Sequence, residues 1–365
     1  MGGGTGGHVI PTLAVAEAAK RRWKNLELLY IGSRASGDRD LVAQAGVTFR
    51  TIATGKLRRY ADWRNLTDAF KVGAGVVQAL AILSKFRPDV VFAKGGYVAL
   101  PVVVAARMLK IPVVAHESDA VMGLTNRLAL PKLRRLAVTY PVLDFLKLNP
   151  QAERYANRLV YTGLPISPAL LSERPKKIFA NELPMVLVTG GSQGAHQLNL
   201  AVWPVLGDLL AHANVVHQTG RADFAVAMEH KHQLPRELAE RYLAIDFGYD
   251  TFRSALKSAD LVVSRSGSAV VELQTLGKAA VLVPLQNSAN QHQLKNAKAM
   301  ADAGAAVMID PDKLTPEKLR ETVVGLIGDN TRLQSMRALS RKMGEANLDA
   351  AEKIVEVIAE VVDEK

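Results

Sequence analysis

The sequence predicts an α/β protein of two domains, each a parallel sheet with helices on both faces. Short apolar runs alternate with amphipathic stretches, as expected when strands and helices alternate. Most of the apolar runs end at glycine-containing turns, and the two halves of the chain repeat the same plan. A length of 365 residues allows two domains, each with its own core.

The first half opens on a glycine-rich run, residues 1–8, followed by a helix with Pro11 near its first turn. Such a run normally joins a strand to a helix, so we expect the chain to begin where a first strand should end. The apolar runs after it predict strands at 26–31, 88–93, 111–115 and 159–161.

The second half predicts strands at 185–189, 214–216, 261–263 and 278–283, the first of which runs into Gly190-Gly-Ser-Gln-Gly194. That turn matches Gly3-Gly-Thr-Gly-Gly7, which favours two Rossmann-like domains of one design. We predict domains at 1–163 and 164–345, and a C-terminal helix within 346–365 that packs back on the first domain. Two such sheets would face each other across a cleft lined by the loops that follow their strands.

Composition and charge narrow the function classes. The chain has no cysteine, which excludes disulfides and thiolate chemistry. The net charge is +11, but residues 1–165 hold 24 Lys+Arg against 11 Asp+Glu, so the basic excess lies in the first half. An anionic partner should therefore meet that half, either nucleic acid or an anionic membrane surface. The alternative is a generally basic proteome, in which these lysines are only solvated. Since no nucleic-acid-binding motif is present, we expect no nucleic acid partner. The sequence shows neither a signal peptide nor an apolar run that could span a membrane.

The glycine turns are candidate anion-binding loops, because glycines let backbone N–H groups approach a phosphate closely. For the turn at 190–194, the alternative is a purely structural role. Gly2, Gly4 and Gly7 match the dinucleotide fingerprint, but no acidic residue closes the second strand. Asp38-Arg-Asp40 has the form of a metal-binding pair and is interpreted as a solvated loop. We therefore predict no metal and no cofactor.

Several polar residues stand where predicted strands meet helices. His8 follows the first glycine loop and could act as a general base, or could be structural. The pair His116-Glu117, at the end of a predicted strand, is a second candidate for the base. Glu272 could accept the hydroxyls of a ribose, or could interact with a helix N-terminus. Gln293 and Asn296 share a helix face and could bind sugar hydroxyls or cap the helix.

Taken together, these segments resemble the MurG family of UDP-N-acetylglucosamine transferases, which convert lipid I to lipid II. The resemblance covers nearly the whole chain, in the family's order. The matching motifs are Gly3-Gly-Thr-Gly-Gly-His8-Val-Ile-Pro11, Lys94-Gly-Gly-Tyr-Val98, His116-Glu117…Gly123-Leu-Thr-Asn126, Gly190-Gly-Ser-Gln-Gly-Ala195, His217-Gln-x-Gly220, Arg265-Ser-Gly267…Glu272 and His292-Gln293-x-x-Asn296-Ala297.

The resemblance implies a GT-B glycosyltransferase with the donor UDP-GlcNAc in the C-terminal domain and lipid I in the N-terminal domain. The reaction would be inverting and metal-independent, with the MurNAc C4 hydroxyl attacking the anomeric carbon in peptidoglycan synthesis. It implies His8 and Glu117 as catalytic residues. The implied substrate-binding residues are Thr5, Gly6, Gly7, Asp119, Asn126, Gly191, Ser192, Gln193, Gly194, Arg265, Ser266, Gly267, Glu272, Gln293 and Asn296.

The basic first half would dock on the anionic inner leaflet, which places the enzyme peripherally on the cytoplasmic face of the cell membrane. Residues 70–87, with Leu80, Ile82 and Leu83, and residues 131–135 are the predicted docking patches. The alternatives are a related transferase acting on another lipid, and a non-catalytic sugar-nucleotide-binding subunit. The chain departs from the family pattern at Asp119, at Ser167, at 248–249 and in a shortened interval between Gly267 and Glu272.

Overall fold

A computed structural model describes residues 1, 6–33, 38–55, 64–172, 174–191, 194–246, 249–267, 269–286 and 291–364. The chain forms two compact units. The first consists of Met1–Pro168 together with Ala346–Lys365, and the second is Ala169–Glu345. The first unit thus takes its last helix from the far end of the chain.

The first unit alternates strands and helices, as the apolar runs predict. Its strands form a parallel pair, β1–β2, and a four-stranded parallel sheet in the order β3–β4–β5–β6. The elements are α1 (Gly6–Arg22), β1 (Leu29–Ser33), α2 (Asp38–Gln44), β2 (Thr48–Ile52), α3 (Arg64–Phe86), β3 (Val91–Ala93), α4 (Ala99–Met108), β4 (Val113–Glu117), α5 (Leu124–Ala129), β5 (Arg135–Val138), α6 (Val142–Leu148) and β6 (Leu159–Tyr161).

Met1 is buried beside β3. Its amino group donates to the Phe92 carbonyl over 2.8 Å, and the Lys94 N–H donates to the Met1 carbonyl over 2.9 Å. This alternation about Ala93 is the pattern of parallel pairing. The residue that precedes the first glycine loop is therefore fixed at the edge of the four-stranded sheet.

The second unit holds one six-stranded parallel sheet in the order β12–β11–β10–β7–β8–β9, with helices between the strands. Its elements are α7 (Pro168–Ser172), β7 (Met185–Thr189), α8 (His196–Val202), α9 (Leu206–His212), β8 (Asn214–Gln218), α10 (Phe224–Gln233), α11 (Arg236–Ala239), β9 (Tyr242–Ile245), α12 (Tyr249–Ser258), β10 (Leu261–Ser264), α13 (Ala269–Thr275), β11 (Ala279–Leu282), α14 (His292–Asp302), β12 (Ala306–Met308), α15 (Pro316–Ile327) and α16 (Asn330–Gly344).

The strand order of this sheet defines where a ligand should bind. The chain builds outward from β7 in one direction and then, from β10, in the other, which is the Rossmann order. Thr189 and Ser264 end β7 and β10 and are paired in register. The loops that follow them therefore start side by side at the topological switch point, the usual ligand position in such sheets.

The last helix, α17 (Ala350–Asp363), belongs to the first unit. Its apolar face packs against α1, β4 and β5. Arg21 pairs with Glu352 over 2.6 Å and Arg135 with Glu364 over 2.7 Å. The buried residues of this cluster are Val15, Ala18, Ala19, Val114, Ala137, Ala351, Ile354, Val355, Val357, Ile358 and Val361.

The structure corrects two local expectations. Asp38 is not in a solvated loop: it begins α2 and is 4% exposed, and its carboxylate, together with burial, raises the pKa of Tyr30. In α3, Leu83 is buried in the core and Leu80 and Ile82 pack against it, because α3 packs mainly on α4. Within the described residues, no helix is long and apolar enough to cross a membrane.

Candidate active site

In the first unit, polar residues collect where the strands of the four-stranded sheet end. Lys94 follows β3, Glu117 ends β4, and Thr139 and Tyr140 follow β5. Because carboxyl ends of parallel strands meet at one edge, these side chains share a region. The Thr139 hydroxyl donates to the Glu117 carbonyl over 2.9 Å, which joins the ends of β4 and β5.

Glu117 is the centre of this region. It is 5% exposed, and its carboxylate accepts three hydrogen bonds from the segment that follows it. The Asp119 N–H donates over 3.1 Å, the Gly123 N–H over 2.9 Å and the Asn126 side-chain amide over 2.9 Å. Burial and the nearby Asp119 carboxylate raise the pKa of Glu117, and the three donors oppose that rise. The carboxylate therefore fixes the loop 118–126 in one conformation.

Two asparagines complete the loop. Asn149, fully buried, accepts from the Met122 N–H over 2.8 Å and donates to the Ala120 carbonyl over 2.8 Å. Asn126 also donates to the His116 carbonyl over 3.1 Å. Gly95 has φ of +91°, and a Cβ there would lie 3.3 Å from the Asn126 amide nitrogen. The loop after β3 thus packs closely on Asn126 of α5, and a side chain at position 95 would be strained.

Lys94 and the histidines set the electrostatics of the region. Lys94 is 2% exposed and donates to the Ser118 hydroxyl; burial lowers its pKa to about 8, against the opposing effect of Glu117 and Asp119. Burial and the Lys94 charge lower the pKa of His8 to about 4. His8 is therefore a neutral imidazole at neutral pH, at the start of α1. His116 is fully buried with Nε2 at 2.8 Å from the Gly163 carbonyl, and its pKa lies well below the usual value.

In the second unit, the loop after β7 approaches neighbouring backbone closely. Gly194 has φ of +77°, and a Cβ there would lie 2.1 Å from the Thr219 carbonyl oxygen. Gly191 has φ of +87° and open space around it. Its N–H donates to the Thr189 hydroxyl over 3.1 Å. At Gly194 the chain therefore passes so close to the Thr219 carbonyl that no side chain would fit.

Across the switch point, Arg265 and Ser266 follow β10. Arg265 is 8% exposed and donates to the Val283 and Pro284 carbonyls over 3.2 and 3.1 Å. Ser266, fully buried, donates to the Gln293 carbonyl over 2.8 Å, and the Asn296 amide donates to the Ser266 carbonyl over 3.1 Å. The structure thus brings Arg265, Ser266, Gly267, Gln293 and Asn296 into one cluster at the start of α14.

The side-chain amide of Gln293 is held by a hydrogen bond within this cluster. Gln293 accepts from the Leu285 N–H over 3.0 Å, so its side chain links α14 to the end of β11. A Cβ on Gly267 would lie 3.9 Å from the Gln293 amide nitrogen, in ordinary van der Waals contact. Glu272 is half-buried in the first turn of α13, and burial raises the pKa of its carboxyl to about 7.

Some predicted site residues cannot be compared. Thr5, Ser192 and Gln193 lie outside the described residues, as does residue 248, and of Gly6 and Gly7 only the helical backbone is described. Ser167 is half-buried between the last strand of the first unit and α7.

Sequence reasoning missed a buried network behind the glycine loop. His217 is fully buried, with Nε2 at 2.9 Å from the Asn199 amide oxygen and Nδ1 at 3.0 Å from the Tyr242 hydroxyl. Asn199 donates to the Thr219 carbonyl over 3.0 Å and to Asp223 over 2.7 Å. The Thr219 carbonyl is the oxygen against which Gly194 packs, so the network supports the loop. The motif His217-Gln-x-Gly220 was the available signal.

Comparison with known proteins agrees with this geometry. Residues 1–138 match the glycosyltransferase family 28 N-terminal domain, and residues 185–355 match the glycosyltransferase family 28 C-terminal domain. The chain is a glycosyltransferase with the GT-B fold.

Full-length relatives narrow the class further. A Moorella thermoacetica protein is 35% identical over 99% of this chain and 98% of its own length. A Clostridium tetani protein is 33% identical over 96% of each chain. Both are named UDP-N-acetylglucosamine--N-acetylmuramyl-(pentapeptide) pyrophosphoryl-undecaprenol N-acetylglucosamine transferase. The crystal structure of Acinetobacter baumannii MurG aligns with a TM-score of 0.71 and 29% identity, over 99% of this chain and 98% of that one. The chain belongs to the MurG family, as the motifs predicted.

Proposed function

We propose that the protein transfers N-acetylglucosamine from UDP-N-acetylglucosamine to the MurNAc unit of lipid I, which yields lipid II for peptidoglycan synthesis. The observation that carries this proposal is the set of relatives at 33–36% identity, aligned over 87–99% of this chain, that are named for this reaction. The residues of each unit fit one part of the chemistry.

The second unit would hold the donor. Its six-stranded sheet has the order whose switch point binds nucleotides, and both loops at that point carry suitable groups. The glycine loop after β7 leads into α8, and the first backbone N–H groups of that helix would donate to a diphosphate. Arg265 adds a buried cation held by carbonyl oxygens rather than by a carboxylate in its described contacts. Glu272 would accept the ribose hydroxyls, and Gln293 and Asn296 would bind the sugar.

The first unit would hold the acceptor and the base. In the transfer, the MurNAc C4 oxygen bonds to the anomeric carbon, the bond to the UDP oxygen breaks, and the C4 proton passes to His8. At neutral pH the imidazole is already unprotonated and available to accept it. A bound diphosphate would offset the charge of Lys94 and raise the pKa of His8 toward the range of an effective base. Glu117 would act by fixing the loop 118–126.

The membrane part of the proposal rests on exposed apolar and basic residues of the first unit. Along α3, Phe70 is 74% exposed and Val77 is 66% exposed, two turns apart on one face. Lys71 and Lys85 are exposed on the same helix. Aromatic and aliphatic side chains flanked by lysines suit the interface of an anionic leaflet. We place the enzyme peripherally on the cytoplasmic face of the membrane on this basis.

The test is UDP release from UDP-N-acetylglucosamine in detergent, with and without a lipid I analogue. Release that requires the analogue and yields a disaccharide product supports the proposal. Release with diacylglycerol and none with the analogue would assign a different lipid acceptor. Binding of the donor without release in any condition would indicate a binding subunit.

His8→Ala tests the base within the same assay. We expect turnover to fall by at least about 100-fold, the usual contribution of a general base, with donor affinity unchanged. His232→Ala, an exposed histidine of the second unit, is the matched control. Full turnover in His8→Ala would remove His8 from the mechanism.

A further inference from the structure

A cavity of about 340 Å³ lies in the second unit, at the edge of the sheet where β10 and β11 begin. Its walls are the turns 258–260 and 276–278 and one face of α16. The glycine loop and Arg265 follow the opposite, carboxyl ends of the strands. The four residues of β10 lie between Asp260 and Arg265, which are therefore five steps or roughly 16 Å apart at 3.3 Å per residue. The cavity is therefore separate from the candidate donor site.

The helix that forms one wall is held firmly against α13. A Cβ on Gly344 would lie 2.3 Å from backbone atoms of Gln274, so only glycine permits this approach. The Ser340 hydroxyl donates to the Leu273 carbonyl over 3.3 Å. Arg337 and Arg341 lie one turn apart on α16, and both line the cavity.

Two of the three cations of the cavity, Lys278 and Arg337, are held by hydrogen bonds. Lys278 donates to the Lys257 carbonyl over 2.6 Å and to the Ala259 carbonyl over 3.0 Å, which leaves one ammonium hydrogen. Arg337 donates to the Asp260 carboxylate over 2.7 Å. The other oxygen of that carboxylate accepts from the Met185 N–H over 2.8 Å. Both oxygens of the cavity's carboxylate are therefore engaged.

The charges of the cavity do not balance. Three cations, Lys278, Arg337 and Arg341, face Asp260, and among the described residues no carboxylate lies within ion-pair distance of Arg341. Burial and the neighbouring charges of Arg337, Arg341 and Lys257 lower the pKa of Lys278 to about 8, with Asp260 opposing. This repulsion is a cost that a bound anion would relieve.

We propose that the cavity binds a phosphate group, carried either by free phosphate or by a small phosphate monoester. Guanidinium groups bind phosphate oxygens in a fork, and an ammonium adds a point charge. The volume is at the small end of the range for ligand pockets, roughly 300–1,000 Å³, which suits a phosphate with a short organic group.

The experiment is equilibrium dialysis of radiolabelled inorganic phosphate against the full chain, with saturating UDP and with ionic strength held constant by potassium chloride. We expect saturable binding of one phosphate per chain. Arg341→Ala should weaken it at least about tenfold, the loss expected for a charge-assisted hydrogen bond. The matched control is Lys342→Ala, which removes the next exposed cation of α16 outside the cavity.

Two further arms complete the test. Lys278→Met should abolish phosphate binding. If that variant does not fold, Arg341→Ala still tests the proposal, because Arg341 is exposed and its replacement should not disturb folding. Glycerol phosphate that displaces the label at lower concentration than unlabelled phosphate would assign a monoester, and the reverse order would assign free phosphate. Phosphate binding that is not saturable, or that is equal in Arg341→Ala and Lys342→Ala, would overturn the proposal.

Discussion

The carboxylate of Glu117 accepts three hydrogen bonds from its own loop. The loss of stability on its removal can therefore be worked out from the number of donors left without a partner. In Glu117→Gln, the amide oxygen can take the place of Oε2 and keep the bonds from Gly123 and Asn126. The amide NH₂ then faces the Asp119 N–H, and one donor is orphaned. At about 1–3 kcal/mol per buried unsatisfied donor, the variant should lose about that amount of stability. Glu117→Ala orphans all three donors and should lose roughly 3–6 kcal/mol, after some relaxation and hydration.

Urea denaturation combined with hydrogen exchange would measure these losses at pH 8. Exchange reports each unit separately, and the amides of Asp119 and Gly123 should lose protection first. Glu356→Gln is the control, because Glu356 is an exposed glutamate on α17 of the same unit. Turnover with the lipid I analogue should fall in the order wild type, Gln, Ala. The affinity for UDP should not change if, as we propose, the second unit binds it.

The order of the two variants is the critical result. If Glu117→Ala is as stable as Glu356→Gln and keeps its turnover, the three contacts do not hold the loop. If Glu117→Gln loses all activity while loop protection stays intact, the carboxylate acts directly on the substrate and the positioning role is wrong.

Three further expectations concern the glycine loop, Glu272 and His8. Gly194→Ala should lower the free energy of unfolding by at least about 2 kcal/mol and weaken UDP binding, because its Cβ would meet the Thr219 carbonyl. Gly191→Ala has only the strain of a positive φ and should lower it by about 1 kcal/mol. Urea denaturation of both variants compares these losses. Burial raises the pKa of Glu272 in the folded chain to about 7. The folded protein therefore favours the protonated carboxyl, and the free energy of unfolding is highest below the unfolded pKa and falls as the pH rises through 7. Glu272→Gln should therefore gain about 1–2 kcal/mol over wild type between pH 5 and 8, and equal pH profiles would exclude the buried carboxyl. The kcat/KM of transfer, which reports groups of the free enzyme, should show no loss from His8 protonation between pH 6 and 8. Such a loss, absent in His8→Ala, would contradict the lowered pKa of His8 in the free enzyme.

The sequence predicted eight of the strands that the structure describes and missed four of them. The predicted runs correspond to β1, β3, β4, β6, β7, β8, β10 and β11. The missed strand β2 mixes polar and apolar residues, and β9 and β12 are apolar runs of only four and three residues. The strand β5 is different: it lies inside its sheet, but it follows basic residues that were interpreted as a docking patch. Burial of Leu136, Ala137 and Val138 depends on neighbours that no local pattern reveals.

The sequence indicated where the candidate site lies but not the hydrogen bonds within it. Glycine turns after apolar strands indicated which loops meet at a sheet edge, because topology decides that. Which atom donates to which depends on long-range register, as in the contact of Ser266 with Gln293, 27 residues apart. For the same reason the sequence assigned no role to His217, whose partners Asn199 and Tyr242 lie on other elements.

Arg265 illustrates how hydrogen-bond partners change what a motif residue can do. As an exposed side chain it would bind a phosphate through flexible contact, and its partners would be solvent and ligand. In the structure it is nearly buried, and the Val283 and Pro284 carbonyls hold its guanidinium in place. Carbonyl oxygens satisfy its hydrogen bonds but carry no net charge, so its positive potential persists at the switch point. A cation that is fixed before the ligand arrives need not reorganise when charge develops on a leaving diphosphate, and this preorganisation is the property that favours transition-state stabilisation.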